Sequence, residues 1–91
     1  MTARDHRRAV HFHVPALLGA GVAEVAGDFS AWAPLAMVRD ATGAFHLSLL
    51  LDRDRRWRYR FLLDDDRWIN DPTAASFVDG PNGTPCSELF T

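Results

Sequence analysis

The sequence has no lysine, one cysteine and no long hydrophobic run, and each shortage excludes something. A single cysteine, Cys86, cannot form an internal disulfide, which agrees with a reducing compartment. No stretch approaches the roughly 20 apolar residues that span a bilayer, and the charged residues 1–8 are not followed by the apolar core of a secretory signal. We therefore expect a cytoplasmic protein without a membrane partner.

A net positive charge is also missing. The formal net charge is -2 at pH 7, and all ten basic residues are arginines. Nucleic-acid binding needs a clear positive excess on at least one face, so we do not expect nucleic acid as a partner. The length of 91 residues leaves room for one small core. We predict a flexible N-terminus over residues 1–9 and a single domain over residues 10–91.

In place of a helical period, the chain has alternating apolar and polar residues, which is the pattern of half-buried strands. Alternating segments lie at residues 10–14, 23–27, 45–51 and 57–63, and shorter extended pieces are expected at residues 35–38, 68–69 and 87–90. Polar turns separate these segments, and residues 57–63 are predicted to form a hairpin with residues 45–51. Roughly six to eight short strands predict an all-β fold, an antiparallel β-sandwich.

Two of the three tryptophans occur where the sequence indicates turns. Trp32 follows a turn at residues 27–31, and Trp68 follows an acidic turn at residues 64–66. A flat ring on a polar loop costs apolar exposure, and it is tolerated mainly where a ligand docks on it. Trp57, by contrast, shares the apolar phase of its strand and is expected in the core. The ligand that suits flat rings and a few polar groups is a sugar.

An ordered set of motifs extends over nearly the whole chain, from about residue 10 to residue 90. The motifs are Gly27-Asp28-Phe29-Ser30-Ala31-Trp32, Met37, Gly43-Ala44-Phe45, Trp57-Arg58-Tyr59-Arg60-Phe61, Trp68, Asn70-Asp71-Pro72 and Gly83-Thr84. In this order and spacing the chain resembles the family 48 carbohydrate-binding modules. That family includes the glycogen-binding domain of the AMP-activated protein kinase beta subunit and the N-terminal domains of isoamylases and glycogen-branching enzymes.

The resemblance implies an immunoglobulin-like sandwich of the early-set type that binds α-1,4-linked glucans without catalysis. It implies that Trp32 and Trp68 stack on glucose rings, and that Arg60 replaces a lysine that hydrogen-bonds sugar hydroxyls. In the last loop Thr84 matches the family's threonine, whereas Cys86 stands where a sugar-contacting asparagine is expected. Asn82 and Thr84 complete the predicted site as hydrogen-bonding groups. The implied partners are an α-glucan and a glucan-metabolising enzyme or kinase-type protein, and no cofactor is expected.

Other binding functions stay open at this point. A protein-interaction module would keep the sandwich without binding sugar, and an acidic partner would meet Arg56, Arg58 and Arg60 on one strand face. The same arginines, together with the tryptophans, would also suit a phosphorylated glucan or another anionic sugar. For Arg60 the sequence leaves ligand contact and a salt bridge equally open. A homodimer through a free sheet edge is also open.

Catalysis and metal binding are less favoured. The aspartates fall mainly in turns of a chain too small to enclose a substrate cleft, so an enzyme is not expected. His11 and His13 share one strand face, and a metal site with His46 is conceivable, but this spacing is usually that of a solvated face. Cys86 has no catalytic base near it in the sequence, which favours a structural thiol.

Overall fold

The structure, a computed structural model, describes residues 6–91 and consists of nine strands in two antiparallel sheets. The strands are β1 (Arg7–Val14), β2 (Ala23–Gly27), β3 (Leu35–Ala36), β4 (Val38–Arg39), β5 (Phe45–Asp52), β6 (Arg56–Leu63), β7 (Arg67–Ile69), β8 (Ser76–Asp79) and β9 (Pro85–Phe90). Two 3-10 turns lie at Ala16–Leu18 and Asp28–Ser30. The prediction of an all-β fold with antiparallel sheets is confirmed.

The two sheets differ in size and in the way their strands pair. The smaller sheet has the order β1-β5-β4, and β1 pairs with β5 from Arg7 opposite Asp52 to Val14 opposite Phe45. The larger sheet has the order β3-β2-β6-β9-β8, and β7 also pairs with β6. Strand β9 pairs with the first half of β6 and β7 with the second half. β6 is therefore the central strand of the larger sheet.

The hydrophobic core lies between the two sheets, because the alternating apolar side chains of both sheets point toward it. The ring centroids of Phe12 in β1 and Tyr59 in β6 are 5.2 Å apart in an edge-to-face arrangement. The core prediction for Trp57 is confirmed, since only 6% of its surface is exposed. The indole Nε1–H of Trp57 donates to Thr91 Oγ1 over 3.2 Å, which satisfies its buried polar group.

The predicted hairpin between residues 45–51 and 57–63 is wrong. β5 pairs with β1 and β4, whereas β6 pairs with β2, β7 and β9, so the connection after β5 passes from one sheet to the other. Both strands have one strongly apolar face, and these faces pack against the common core from opposite sheets. Alternation shows which side chains face the core, but it does not identify the hydrogen-bonded neighbour.

A second change of sheet occurs within the predicted edge segment at residues 35–38. β3 pairs with β2 in the larger sheet, and β4 pairs with β5 in the smaller sheet. Met37 lies between them and is 8% exposed, so its side chain joins the core while the chain crosses over. One further strand, β8, pairs with β9 and was not predicted.

The domain begins earlier than expected. β1 starts at Arg7, so residues 7–9 pair with β5 and do not belong to a flexible terminus. The prediction for residues 1–5 lies outside the described residues. β1 also forms an edge of its sheet, and the homodimer through such an edge, which the sequence left open, stays open. Within residues 6–91, no helix has the length and apolar character needed to cross a membrane.

Candidate carbohydrate-binding site

The first tryptophan loop, residues 27–32, depends on a close backbone approach at its start and on left-handed backbone at its end. A Cβ on Gly27 would overlap the carbonyl oxygen of Arg58 and the ring of Phe29, so only glycine fits there. Ala31 and Trp32 then adopt the left-handed region, with φ of 52° and 64°. Such residues cost about 1 kcal/mol or more each and persist where surrounding contacts hold them, often at binding sites. Here the Trp32 N–H donates to the Gly27 carbonyl over 2.9 Å.

Asp28 fixes the ring of Trp32. Its Oδ1 accepts hydrogen bonds from Trp32 Nε1 and from Arg58 Nη2, each at 3.1 Å. Its Oδ2 accepts from the Arg58 backbone N–H at 2.8 Å and from Arg58 Nε at 3.1 Å. Burial by itself would raise the pKa of Asp28, but the hydrogen bonds from Arg58 and Trp32 outweigh burial, and the net shift is downward. Asp28 therefore stays ionised and joins the loop to β6.

Trp68 lies on a short strand at the outer face of the larger sheet. It is opposite Leu62 of β6 and 41% of its surface is exposed. The preceding turn is tight, with Asp64 and Asp65 both at positive φ. Asp64 Oδ1 accepts hydrogen bonds from the backbone N–H groups of residues 21 and 22, at 2.8 and 3.1 Å. The acidic turn thus has a defined geometry in which one carboxylate anchors the start of β7 to the chain before β2.

A buried polar network supports the chain immediately after Trp68. Tyr59 Oη donates to Asp71 Oδ2 over 2.6 Å, and the Asp71 backbone N–H donates to Ser87 Oγ over 2.7 Å. The backbone N–H and hydroxyl of Thr73 both donate to Asp71 Oδ1. Burial, and then the carboxylate of Asp71, raise the pKa of Tyr59 above its ordinary value. This network ties the segment that follows β7 to β6 and β9.

Arg60 extends from β6 beside Trp68. Its Cζ lies 6.0 Å from the centroid of the Trp68 ring, and its Nη2 donates a long hydrogen bond of 3.5 Å to the Trp68 carbonyl. The residue opposite Arg60 on β2 is Ala26, which offers no hydrogen-bonding side chain. Within residues 6–91, no carboxylate comes within 4.0 Å of the Arg60 guanidinium, so the salt-bridge alternative is not found there.

The loop between β8 and β9 forms the remaining wall. The Gly80 N–H donates to the Thr84 carbonyl over 2.8 Å, which closes a tight turn that contains Asn82. A Cβ on Gly80 would overlap Cys86 Sγ, so the turn lies directly against the thiol. Cys86 is buried and forms no disulfide within residues 6–91, and burial raises the pKa of its thiol. The thiol is consequently neutral at physiological pH and forms part of the cleft floor.

The first tryptophan loop, the strands β6 and β7, and the loop between β8 and β9 line one cleft with a volume of about 480 Å³. Its lining residues are Trp32, Arg60, Trp68, Gly80, Pro81, Asn82, Thr84 and Cys86. All five residues predicted from the sequence are among them, although they are distant along the chain. Asp28 was missed as a site residue, although it lies four positions before Trp32 and could have been recognised as an acceptor for the indole N–H.

The histidines lie on the smaller sheet, away from the strands that line the cleft. His11 Nε2 and His46 Nδ1 are 2.9 Å apart, and His46 Nε2 lies 2.7 Å from Asp40 Oδ2. His11 Nδ1 also contacts Ser48 Oγ at 3.1 Å. His11 and His46 are therefore linked into a hydrogen-bonded chain, whereas His13 makes a ring contact with His46, with the centroids 5.0 Å apart. In the described part of the protein, no group of three or more His, Cys, Asp or Glu residues is arranged to hold a metal ion.

Comparison with known proteins does not identify this site. Neither the protein-family models nor the curated proteins compared with this chain match it. Membership of the family 48 carbohydrate-binding modules therefore stays a prediction based on the ordered motifs, and the function must be argued from the cleft itself.

Proposed function

We propose that the protein binds α-1,4-linked glucan, of the glycogen or starch type, in this cleft without catalysis. The observation that carries the proposal is that Trp32, Trp68 and Arg60 line a single cleft of about 480 Å³. Two aromatic rings and an arginine without a carboxylate partner in the described chain form an unusual group on the outer face of a sheet. A cleft of this size can hold a short stretch of an oligosaccharide.

The chemistry of a glucan fits the lining residues. The faces of a glucose ring expose C–H groups that pack on indole rings, and the ring edge carries hydroxyls that need donors and acceptors. Arg60 offers several N–H donors, Asn82 offers an amide, and Thr84 offers a hydroxyl. Asp28, the carboxylate that contacts Trp32, has both oxygens occupied by Trp32 and Arg58, which favours a supporting role over acid–base chemistry.

The wider assignment rests on the same proposal. We place the two-sheet fold in the immunoglobulin-like early-set class, with the cleft formed at one outer face of the sandwich. The protein would act in the cytoplasm and bring itself, or a glucan-metabolising enzyme or kinase-type partner, to the polysaccharide.

The alternative of a protein-interaction module has less support. It rested on the last loop, in which Cys86 stands at the asparagine position, and on an arginine-rich face for an acidic partner. In that face Arg56 forms an ion pair with Glu88 at 3.2 Å and Arg58 forms one with Asp28 at 3.1 Å. Two of the three charges are therefore already compensated within the fold. Phe90 also favours this alternative, since this apolar residue is 58% exposed at the other end of the same face.

Affinity electrophoresis in gels containing glycogen tests the proposed function. We expect retardation of the wild-type protein and loss of most of it in Trp32→Ala and Trp68→Ala, because each change removes a stacking surface. Phe90→Ala is the matched control, since it removes an exposed aromatic ring outside the cleft and should leave migration unchanged. Absence of wild-type retardation would reject glucan binding. Retardation of Trp32→Ala and Trp68→Ala as strong as that of the wild type and of Phe90→Ala would reject this cleft.

A further inference from the structure

Three arginines on β6 project from the same face, but they have different surroundings. Arg56 pairs with Glu88, which lies on the neighbouring strand β9. Arg58 is held by Asp28 through several hydrogen bonds. Arg60, which alone among the three lines the cleft, has no carboxylate within 4.0 Å in residues 6–91. The fold thus compensates the two arginines outside the cleft and leaves the third charge available.

The hydrogen bonding of Arg60 is also incomplete. Its Nε is buried and has no acceptor among the described residues. Its one hydrogen bond within residues 6–91 is the 3.5 Å contact with the Trp68 carbonyl, which is at the long limit for such bonds. Buried donors without acceptors are uncommon, and each one calls for an explanation such as a water, an ion or a functional role. A guanidinium in this state prefers a charged acceptor, because charge-assisted hydrogen bonds are about twice as strong as neutral ones.

We propose that the cleft selects an α-glucan that carries an acidic substituent, a phosphate ester or a carboxylate, and that Arg60 binds this group while the tryptophans hold the adjoining sugar rings. The inference rests on the proposed glucan-binding function and names its substrate class. The planar guanidinium matches the paired oxygens of either acidic group.

The carboxylates of Asp28 and Asp79 lie near the cleft and would repel an anionic ligand, but only the charge of Asp28 is compensated. Asp28 is compensated by Arg58. Asp79 lies at the edge of the cleft, since it precedes the lining residue Gly80 and is opposite Pro85, the neighbour of Cys86. Asp79 forms no ion pair among the described residues, so its repulsion of an anion is not cancelled by a local partner. Replacement of Asp79 by asparagine should therefore strengthen binding of the acidic glucan and leave binding of a neutral glucan unchanged.

Isothermal titration with three matched ligands tests the inference: maltoheptaose, its 6-phosphate ester and its 6-carboxylate. We expect at least one acidic ligand to bind about five- to tenfold more tightly than maltoheptaose at low salt, with a smaller difference at high salt. Arg60→Gln should remove this preference. Arg56→Gln, which changes an arginine outside the cleft, should retain it. Circular dichroism and thermal unfolding confirm that each variant is folded.

The outcomes separate this inference from the proposed function. If the wild-type protein binds all three ligands equally, the acidic preference is rejected and neutral glucan binding stands. If it binds none, both proposals fail. Binding of the acidic ligands alone would support the role of Arg60 and reject neutral glucan as the ligand. A preference that survives Arg60→Gln would reject Arg60 as the group that binds the anion. A preference for phosphate over carboxylate, or the reverse, identifies the acidic group.

Discussion

At the scale of single residues, Asp28 shows how one short side chain positions a binding surface. Its two oxygens accept four hydrogen bonds, one from Trp32 and three from Arg58. These bonds hold the indole edge against β6 while the backbone of Trp32 is in the left-handed region. The ring is thereby ordered before any ligand binds, and this reduces the entropy lost on binding.

Replacement of Asp28 by asparagine should lower stability and weaken glucan binding together. We expect a loss of about 1–2 kcal/mol in the free energy of unfolding at neutral pH, because a charged acceptor of several bonds is lost. The pKa of Asp28 is lowered in the folded state, so its contribution is present above the pKa of the unfolded chain and disappears as the pH falls through the folded pKa. Urea unfolding of both proteins should show a constant difference above about pH 5 that shrinks at more acidic pH.

Gly27→Ala should be far more destabilising than Gly21→Ala. A Cβ at position 27 would overlap the Arg58 carbonyl oxygen, which belongs to a central strand and cannot move easily. At position 21 the nearest atom is Asp64 Oδ1 at 3.4 Å, an ordinary contact. We expect about 1–3 kcal/mol for Gly27→Ala and much less for the control, measured by thermal unfolding. Similar effects for both would contradict the tight approach of the tryptophan loop to β6.

At the scale of elements, the placement of β7 depends on the network that follows it. β7 has three residues and pairs only with the second half of β6 among the described strands. Such a short strand is held mainly by tertiary contacts. These contacts come from the buried hydrogen bonds that join Asp71 to Tyr59 and Ser87. The network therefore fixes the segment after β7 and, with it, the position of Trp68 in the cleft wall.

Tyr59→Phe should therefore affect both stability and binding, although Tyr59 does not line the cleft. The change removes one hydroxyl and leaves Asp71 Oδ2 without its 2.6 Å donor. We expect a loss of about 1–3 kcal/mol in unfolding free energy and weaker glucan affinity through a less ordered Trp68. Urea unfolding and titration with maltoheptaose measure the two effects. Full stability in the variant would show that the Tyr59–Asp71 bond contributes little.

The strands themselves illustrate what a local pattern can predict. The buried faces of β1, β5 and β6 follow the alternation in the sequence, since Phe12, Phe45 and Phe61 all enter the core as their phase predicts. The alternation did not predict which strand pairs with which. β5 and β6 are consecutive and similar in pattern, yet they lie in different sheets. Pairing depends on how distant segments share one core, and a local window does not contain that information.

At the scale of the whole molecule, the small size makes ligand binding visible as stability. A ligand that binds only the folded state adds about 1.4 kcal/mol at ten times its Kd. For a domain of this size that corresponds to a rise in Tm of roughly 6–11 °C. At the same maltoheptaose concentration we expect this rise for the wild-type protein and for Phe90→Ala, and a much smaller rise for Trp32→Ala. Differential scanning calorimetry measures it, and an unchanged wild-type Tm at high ligand concentration would count against the proposed function.

The sequence by itself determined the β-strand character and the side chains that face the core, and its resemblance to a known family singled out five of the eight residues that line the cleft. Alternation and turn chemistry are local properties of the sequence, and the ordered motifs identified the site residues. Only the tertiary structure decided that β5 and β6 lie in different sheets, that Asp28 binds Trp32 and Arg58, and that Arg60 has no carboxylate partner within residues 6–91. Three arginines at alternate positions are equivalent in the sequence. Their partners come from other strands, and register across the sheet determines which charge is compensated.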